Sequence, residues 1–262
     1  MTATVAWISI APVKGMRMQD LTEVELGPDG AAGDLEFFLV NEKNDLLSVS
    51  RIGPLLEIVP EYEPGSAAKL TLNFPDGSTV ASGVEAGEPE DVTFYGEALQ
   101  ARPVLGELSE AISRHCDLDL RLMLKPEGRP AVDRGAISGA TILGLESLRR
   151  LETAAAEAGQ PGPIDQRRFR MTFGIEGIAA HEEDEWIDGL VSIGEAQVRV
   201  EERVGRCAAT TRDPDRGNVD LKTLHHIRSY RKDVISEEPL PFGVYGSVQR
   251  PGHVRIGDPV NF

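Results

Sequence analysis

Short apolar segments separated by turn-forming residues dominate the first hundred positions of this chain. Gly, Pro and Asp recur between the segments, for example at Pro28-Asp-Gly30 and Pro75-Asp-Gly77, where backbone chemistry favours tight turns. Segments this short have the length of strands rather than of stable helices. The pattern predicts strands at residues 5–10, 21–26, 36–41, 46–50, 68–73 and 91–94. It constrains this half of the chain to a β-rich, barrel-like arrangement.

Helical spacing first appears in the middle of the chain. Residues 105–116 predict a helix and residues 118–124 another strand. The clearest helix is predicted over residues 141–158, where apolar side chains recur every three or four positions. Ser138 or Thr141 would cap its first turn.

The rest of the chain again consists of short elements. A loop rich in Pro and Gly is predicted over residues 125–139, before the long helix. After the helix, strands are predicted at 168–173, 190–193, 196–203, 244–248 and 254–256, with a short helix at 221–229. A mainly β chain with a few helices, of the α+β class, is the economical interpretation.

The charge balance limits the partners of the protein. The 262 residues include 27 Lys and Arg against 43 Asp and Glu, a formal net charge of −16. A general nucleic-acid surface is excluded on this ground, because binding to the phosphate backbone needs excess positive charge. Arginines nevertheless cluster around residues 167–170 and 203–212, where they suit a small anion.

The N-terminus and the cysteine count point to a cytoplasmic protein. No basic segment followed by an apolar run opens the chain, and no apolar run is long enough to span a membrane. Cys116 and Cys207 stand far apart and fit neither a disulfide framework nor a zinc site. Nucleotide-binding glycine motifs and the G-x-S-x-G elbow are also missing.

Cys207 ends a predicted strand and is flanked by cations and hydroxyl groups. Nearby guanidinium groups, at Arg206 and Arg212, would favour its thiolate form, which is a soft ligand for a thiophilic metal. The thiolate is also a nucleophile, although no His lies near it in sequence. The ordinary alternative is a small buried Cys at a strand end.

Two further groups of residues have both a functional and an ordinary interpretation. On the predicted strand 168–173, Arg168 and Arg170 would point to one face together, an arrangement that suits phosphate; solvated surface arginines are the alternative. Asp213 opens the turn Asp213-Pro-Asp-Arg-Gly217 and is interpreted as an Asx-turn residue.

Taken together, these segments resemble the MOSC domain of molybdenum-cofactor sulfurases and their relatives. The resemblance rests on motifs in the expected order, listed here: Arg168-Phe-Arg170, Glu183-Asp-Glu-Trp186, Gly205-Arg-Cys207, Thr210-Thr-Arg-Asp-Pro214, Gly243-Val-Tyr245 and Ile256-Gly-Asp-Pro-Val260. Upstream, Ile10-Ala-Pro-Val-Lys14 and Gly33-Asp34 are similar to the β-barrel that precedes this domain. The resemblance implies a MOSC N-terminal β-barrel-like region at residues 1–125, packed on a β-barrel MOSC domain at residues 126–262.

The resemblance also implies a molybdopterin-type molybdenum cofactor and an activity. Relatives of the amidoxime-reducing group reduce N-hydroxylated small molecules, with electrons from a separate partner that carries flavin, haem or iron–sulfur. Pyridoxal phosphate binding is a further family-level association. By resemblance, Cys207 is the metal ligand and is catalytic together with Asp213. Cofactor binding is assigned by resemblance to Lys14, Arg51, Arg168, Arg170, Thr172, Arg206, Thr210 and Thr211.

The chain departs from the amidoxime-reducing pattern at several positions. Gly15 follows the barrel lysine in place of Ser, Leu35 or Glu36 replaces an arginine, Thr172 replaces an amide, and Gly205 replaces a Ser. A carboxylate at Glu36 would repel a phosphate. Where relatives place an acidic residue near the metal, this chain has Ala136 or Ile137, with Asp133 nearby.

Three functions are compatible with these residues. The first is a molybdenum-cofactor oxidoreductase that reduces amidoxime- or hydroxylamine-type substrates. The second is a sulfur or cofactor carrier without turnover, in which Cys207 carries a persulfide. The third is an interaction module that binds neither metal nor sulfur.

Overall fold

The computed structural model describes residues 2–47, 49–126 and 137–262, and in this part of the chain the fold is mainly β with three α-helices. This confirms the predicted α+β class. The strands of the first half are β1 Thr4–Ile10, β2 Gln19–Leu21, β3 Glu23–Gly27, β4 Gly30–Ala31, β5 Phe37–Asn41, β6 Val59–Glu63, β7 Lys69–Asn73, β8 Thr79–Gly83, β9 Glu90–Phe94, β10 Glu97–Pro103 and β11 Leu120–Leu124.

The second half contributes the remaining strands and two of the three helices. Its strands are β12 Ala140–Gly144, β13 Phe173–Glu176, β14 Leu190–Ile193, β15 Ala196–Gly205, β16 Pro241–Arg250, β17 Gly252–Arg255 and β18 Val260–Asn261. The helices are α1 Leu108–Cys116, α2 Leu145–Glu157 and α3 Thr223–Arg231. Short 3₁₀ helices lie at Gly53–Glu57, Gln166–Phe169, Glu182–Trp186 and Ala208–Thr211.

One eight-stranded sheet links the two ends of the chain. Its order is β18-β14-β15-β16-β12-β13-β1-β2, and β1 pairs antiparallel with β13 while β12 and β13 run parallel. β3 and β4 join β17 in a separate three-stranded sheet. The first four strands therefore lie in sheets that also contain C-terminal strands, and the domain boundary at residue 125 stays a prediction.

The middle of the chain builds its own sheets and its own core. β5, β11, β10 and β9 form one sheet, and β6, β7 and β8 form another. α1 buries Leu108, Ile112 and Cys116, which share one helix face, against this core. Among the described residues the hydrogen-bonded strand orders are open, so no closed ring of strands is seen for the β-barrels that the resemblance implies.

The predicted helix at 141–158 is wrong in its first turn, because that turn is a strand. Residues Ala140–Gly144 pair with β16 and β13, and α2 begins only at Leu145. The caps predicted at Ser138 and Thr141 are therefore also wrong. Instead, Gly144 precedes the helix, and its N–H donates to the buried carboxylate of Glu183 at 3.2 Å. A short apolar run is compatible with a buried strand as well as with a helix, and in this structure its pairing with neighbouring strands makes it a strand.

The predicted strand at 168–173 is also wrong. Asp165 caps a 3₁₀ helix at Gln166–Phe169, Arg170 has a left-handed backbone, and β13 begins only at Phe173. The Asp165 carboxylate accepts the N–H of Arg167 at 2.8 Å, which favours a turn over an extended chain. Arg168 and Arg170 therefore do not share the face of a strand.

Other boundaries differ less. The predicted strand 21–26 is interrupted at Thr22, and in the described part of residues 46–50 only Leu46 forms an isolated bridge. β6, β8 and β10 were not predicted. Most of the predicted loop 125–139 lies outside the described residues. No helix in the described ranges combines the length and apolar character needed to cross a membrane.

Candidate functional site

A cavity of about 320 Å³ lies where the end of β15 meets loops from the first half of the chain; we call it the central cavity. Its walls include loop residues after β1 and β4, the residues around Arg170, and the segment Gly205–Cys207. Seven of the ten predicted site residues line it, namely Lys14, Arg168, Arg170, Thr172, Arg206, Cys207 and Thr210. The fold thus brings together residues from both halves of the chain.

Cys207 presents an exposed thiol to the central cavity. Its backbone is extended, and its carbonyl oxygen accepts the N–H of Thr210 at 3.2 Å and the Thr210 hydroxyl at 3.1 Å. The Thr210 carbonyl in turn accepts the hydroxyl of Thr223 at 2.8 Å. Thr210 therefore holds the backbone at Cys207 rather than offering its hydroxyl to the cavity, and the alternative of a buried Cys207 is wrong.

Arg206 anchors the peptide that precedes the thiol. Its Nε donates to the carbonyl of Phe242 at 2.8 Å, its Nη1 to the carbonyl of Phe169 at 2.8 Å, and its Nη2 to the sulfur of Met171 at 2.8 Å. The side chain is buried. These three hydrogen bonds use nitrogens of the guanidinium, so Arg206 joins β15, β16 and the residues around Arg170.

Arg170 supplies a buried cation to the cavity. Its Nη1 donates to the carbonyl of Met16 at 2.8 Å, whereas its Nη2 is buried and has no hydrogen-bond partner among the described residues. Burial lowers the pKa of Arg170, while the charges of Asp34, Tyr95 and Cys207 oppose that shift. An anion in the cavity would satisfy the unpaired group.

Arg168 is more firmly paired. Its two terminal nitrogens each donate to a carboxylate oxygen of Asp220 at 2.8 Å, and Nη1 also donates to the carbonyl of Arg212 at 2.6 Å. A bidentate pair of this kind fixes the guanidinium plane. Arg168 thus lines the cavity as part of a closed ion pair.

Lys14 and Asp34 face the cavity from the first half of the chain. The ammonium of Lys14 lies 5.3 Å from the ring centroid of Tyr95 and 5.7 Å from that of Phe94. The Asp34 carboxylate accepts the N–H of Ala11 at 2.7 Å. Burial raises the pKa of Asp34 to about 6, although that N–H and the charges of Arg170, Lys125 and Lys14 pull it down. The sequence placed Asp34 in the Gly33-Asp34 motif but gave it no role in the site.

Two of the departures in sequence have a local explanation. The Glu36 carboxylate lies 3.1 Å from the ammonium of Lys125, so its charge is balanced, and Glu36 does not line the cavity. The Thr172 hydroxyl lies 3.0 Å from the hydroxyl of Thr141, which also accepts the Thr172 N–H at 2.8 Å. Thr172 thus connects β12 to the start of β13.

The departure at Gly205 is matched by a residue that sequence reasoning missed. The Gly205 N–H donates to Oε2 of Glu238 at 2.9 Å, and a Cβ atom on Gly205 would lie 2.3 Å from the Cβ of Glu238. Glu238 and Pro239 both line the central cavity. No motif marked Glu238, because it lies in a segment between α3 and β16 without periodicity.

Three predicted site residues lie outside the set that lines the cavity. Arg51 is exposed. The Thr211 hydroxyl donates to the carbonyl of Ala208 at 2.6 Å. The Asp213 carboxylate accepts the N–H groups of Asp215 at 2.9 Å and Arg216 at 2.8 Å, which confirms the Asx-turn interpretation.

The position where relatives place an acidic residue falls at Ala136 or Ile137, with Asp133 nearby. Asp133 and Ala136 lie outside the described residues, and Ile137 is exposed. In the ranges that the structure describes, no three His, Cys, Asp or Glu side chains converge as a metal site would require. Among the described residues that line the central cavity, Cys207 is the only thiol, and a thiolate is a soft ligand for a metal.

Comparison with known proteins gives the following matches. Residues 140–261 match the MOSC domain family. Mitochondrial amidoxime reducing component 2 of Rattus norvegicus is 39% identical over 104 residues, which cover 37% of this chain and 30% of that protein. Mitochondrial amidoxime-reducing component 1 of Xenopus laevis is 25% identical over 283 aligned positions, which cover 98% of this chain and 81% of that protein.

Among solved structures, the YUAD protein from Bacillus subtilis matches 99% of this chain and 94% of its own chain, with 14% identity and a TM-score of 0.45. The rat relative is matched over less than a third of its own length. These relatives give no support to the pyridoxal phosphate association.

Proposed function

Because residues 140–261 of this chain match the MOSC domain family, we propose that the protein binds a molybdopterin-type molybdenum cofactor in the central cavity and reduces N-hydroxylated small molecules. The amidoxime-reducing names of the mammalian and amphibian relatives support this choice of reaction. Cys207 is the proposed metal ligand.

The observation that carries the proposal is the position of one exposed thiol in the same cavity as two cations. Cys207 lines the cavity together with Lys14 and Arg170, and Nη2 of Arg170 is buried without a hydrogen-bond partner among the described residues. A soft thiolate suits molybdenum, and a buried cation with an open donor suits a phosphate. The residues present therefore fit a cofactor that combines a thiophilic metal with an anionic tail.

Two groups of residues would hold that cofactor: those that fix the backbone around the thiol, and cations that line the cavity. Arg206 and Thr210 fix the backbone on both sides of the thiol through the bonds described above. Lys14 and Arg170 are assigned to the anionic tail, and the paired Arg168 to the cavity wall. When bound, the cofactor supplies the metal centre at which two electrons and an oxygen atom are exchanged with the substrate.

The proposed reaction breaks the N–O bond of an N-hydroxylated compound. It consumes two electrons and two protons, leaves an N–H bond in place of the N–OH group, and releases water. A separate protein that carries flavin, haem or iron–sulfur is proposed as the electron donor. The exposure of Cys207 leaves this side of the cavity open to solvent and substrate.

The test is the metal and pterin content of protein purified from a host that makes the molybdenum cofactor. We expect stoichiometric molybdenum and an oxidised-pterin fluorescence signal in the wild-type protein, and loss of molybdenum in Cys207→Ser. Cys116→Ala is the matched control, because Cys116 is buried away from the cavity. Molybdenum retained by Cys207→Ser would show that the ligand assignment is wrong.

A second measurement separates turnover from carriage. The loaded protein, reduced with dithionite, is mixed with benzamidoxime, and benzamidine is quantified. Bound molybdenum without any benzamidine would favour a carrier over a reductase.

A further inference from the structure

A carboxylate is fixed in the wall of the central cavity next to the segment that carries the thiol. Oε2 of Glu238 accepts the N–H of Gly205 at 2.9 Å, and the carbonyl of Pro239 accepts the N–H of Arg206 at 3.1 Å. Two consecutive residues of one segment are thus bonded to the two residues that precede Cys207. The absence of a side chain at Gly205 leaves the space that Glu238 fills.

The charges in the cavity are arranged unevenly. Lys14 and Arg170 come from the loop after β1 and from the turn before β13, and Asp34 lies among their charges. The charged groups that act on Arg170 are Asp34, Tyr95 and Cys207. Glu238 enters from a different part of the chain, between α3 and β16, and brings negative charge to the wall that carries the thiol.

A carboxylate in that position discriminates between ligands by their charge and their hydrogen-bond donors. It stabilises a ligand with a positive charge or N–H donors, and it disfavours one that presents only oxygen lone pairs or a negative charge. N-hydroxylated amidines and guanidines carry such N–H groups beside the reacting N–O bond. Hydroxamic acids of the same shape carry a carbonyl oxygen there.

We propose that Glu238 is a specificity-determining residue of the central cavity, which favours amidine-type N-hydroxylated substrates over hydroxamic acids. The proposal rests on the proposed function for the reaction itself. Glu238 would select among substrates, and Cys207 would bind the metal.

The first test measures binding without turnover. Benzamidine and benzamide have the same shape and differ in charge, so their affinities are compared by titration calorimetry for wild-type protein, Glu238→Gln and the control Glu237→Gln. Gln retains an oxygen that accepts the Gly205 N–H, so the wall is preserved. Glu237 is adjacent, exposed and outside the cavity.

We expect the wild-type protein and Glu237→Gln to bind benzamidine at least about tenfold more tightly than benzamide, because a charged hydrogen bond in a half-buried site is of this magnitude. Glu238→Gln should lose most of that preference and bind benzamide within about twofold of wild type. Equal affinities in the wild-type protein, or an undiminished preference in Glu238→Gln, would overturn the proposal. So would a preference abolished by Asp34→Asn alone, since Asp34 is the other carboxylate among the described residues that line the cavity.

The second test uses molybdenum-loaded protein and compares kcat/KM for benzamidoxime and benzohydroxamic acid. We expect the ratio to fall about tenfold in Glu238→Gln. If both compounds are reduced and the ratio is unchanged, the inference about Glu238 is wrong while the proposed function stands. If the wild-type protein holds no molybdenum and reduces neither compound, the proposed function is wrong, and the calorimetric result still decides whether Glu238 selects cations.

Discussion

The guanidinium of Arg206, on the residue directly before the cavity thiol, donates from Nε to the carbonyl oxygen of Phe242 at 2.8 Å. Phe242 belongs to β16 and packs against Phe169, whose carbonyl accepts Nη1 of the same guanidinium. One side chain therefore connects β15, β16 and the 3₁₀ helix before Arg170. The positions of Cys207 and Arg170 depend on this connection.

Replacement of Arg206 tests that dependence. Arg206→Lys keeps the charge, but a single ammonium cannot reach all three acceptors that the guanidinium now contacts. We therefore expect the free energy of unfolding to fall by about 2 to 4 kcal/mol. Urea titration measures the loss. Arg216→Lys, at an exposed position, is the control and should change the free energy by less than about 0.5 kcal/mol. Equal effects in the two variants would contradict the anchoring role.

Asp34 should make the stability of the unloaded protein depend on pH. Its folded-state pKa is raised to about 6, so its contribution to stability is fully present below pH 4 and is lost as the pH rises through 6. Asp34→Asn still accepts the Ala11 N–H but does not titrate. Between pH 4 and pH 8, the free energy of unfolding of the variant, relative to that of the wild-type protein, should therefore rise by at most about 3 kcal/mol. Parallel unfolding curves at several pH values measure this difference, and a constant difference would contradict the raised pKa.

Gly205 and Glu238 should be energetically coupled. A side chain on Gly205 would meet the Cβ of Glu238, so Gly205→Ser should cost about 1 to 3 kcal/mol. In a Glu238→Gly background the obstructing side chain is gone, and the same change should cost much less. A double-mutant cycle in urea gives the coupling energy, which we expect to be about 1 kcal/mol or more. Additive effects would show that the segment that carries Glu238 can move away from a side chain at position 205 at no energetic cost.

Ser147 stabilises a buried carboxylate at the start of α2. Its hydroxyl donates to both oxygens of Glu183, at 2.7 and 3.0 Å, and Glu183 is fully buried. Ser147→Ala should cost about 1 to 3 kcal/mol. Burial already raises the pKa of Glu183, and removal of the hydroxyl raises it further, so the cost should grow as the pH rises. Thr153→Ala, on an exposed position of the same helix, is the control. A cost that falls with pH would contradict this role of Ser147.

Sequence patterns predicted most of the strands because alternation and turn chemistry are local. β15 alternates buried and partly exposed residues along its first half, and the predicted strand 196–203 agrees with it. The first turn of the long helix was mistaken because Ile142 and Leu143 suit a helix and a buried strand equally. The segment forms a strand because it pairs with β13 and with β16, and β16 lies about a hundred residues further along the chain.

The thiol, the lysine and one arginine of the candidate site were identified from the sequence, and the structure places Cys207, Lys14 and Arg170 around one cavity. Their surroundings were not predictable. Leu35, Tyr95 and Arg170 line the cavity and have left-handed backbones. Glycine is the residue that usually marks this conformation in a sequence, and none of the three positions has it. Glu238 belongs to no motif, and the Gly33-Asp34 motif gave Asp34 no role in the site, because both roles arise from contacts between separate parts of the chain.

The pairing of β1 with β13 joins residues near position 4 to residues near position 176. During synthesis, β1 leaves the ribosome long before β13 exists, so the edge of β1 that does not pair with β2 stays unpaired while the intervening sheets form. Conversely, a fragment that holds only residues 140–261 would expose the edge of β13 and invite self-association. Expression of residues 140–261 should therefore succeed when the first strands are supplied, in the same chain or as a separate peptide.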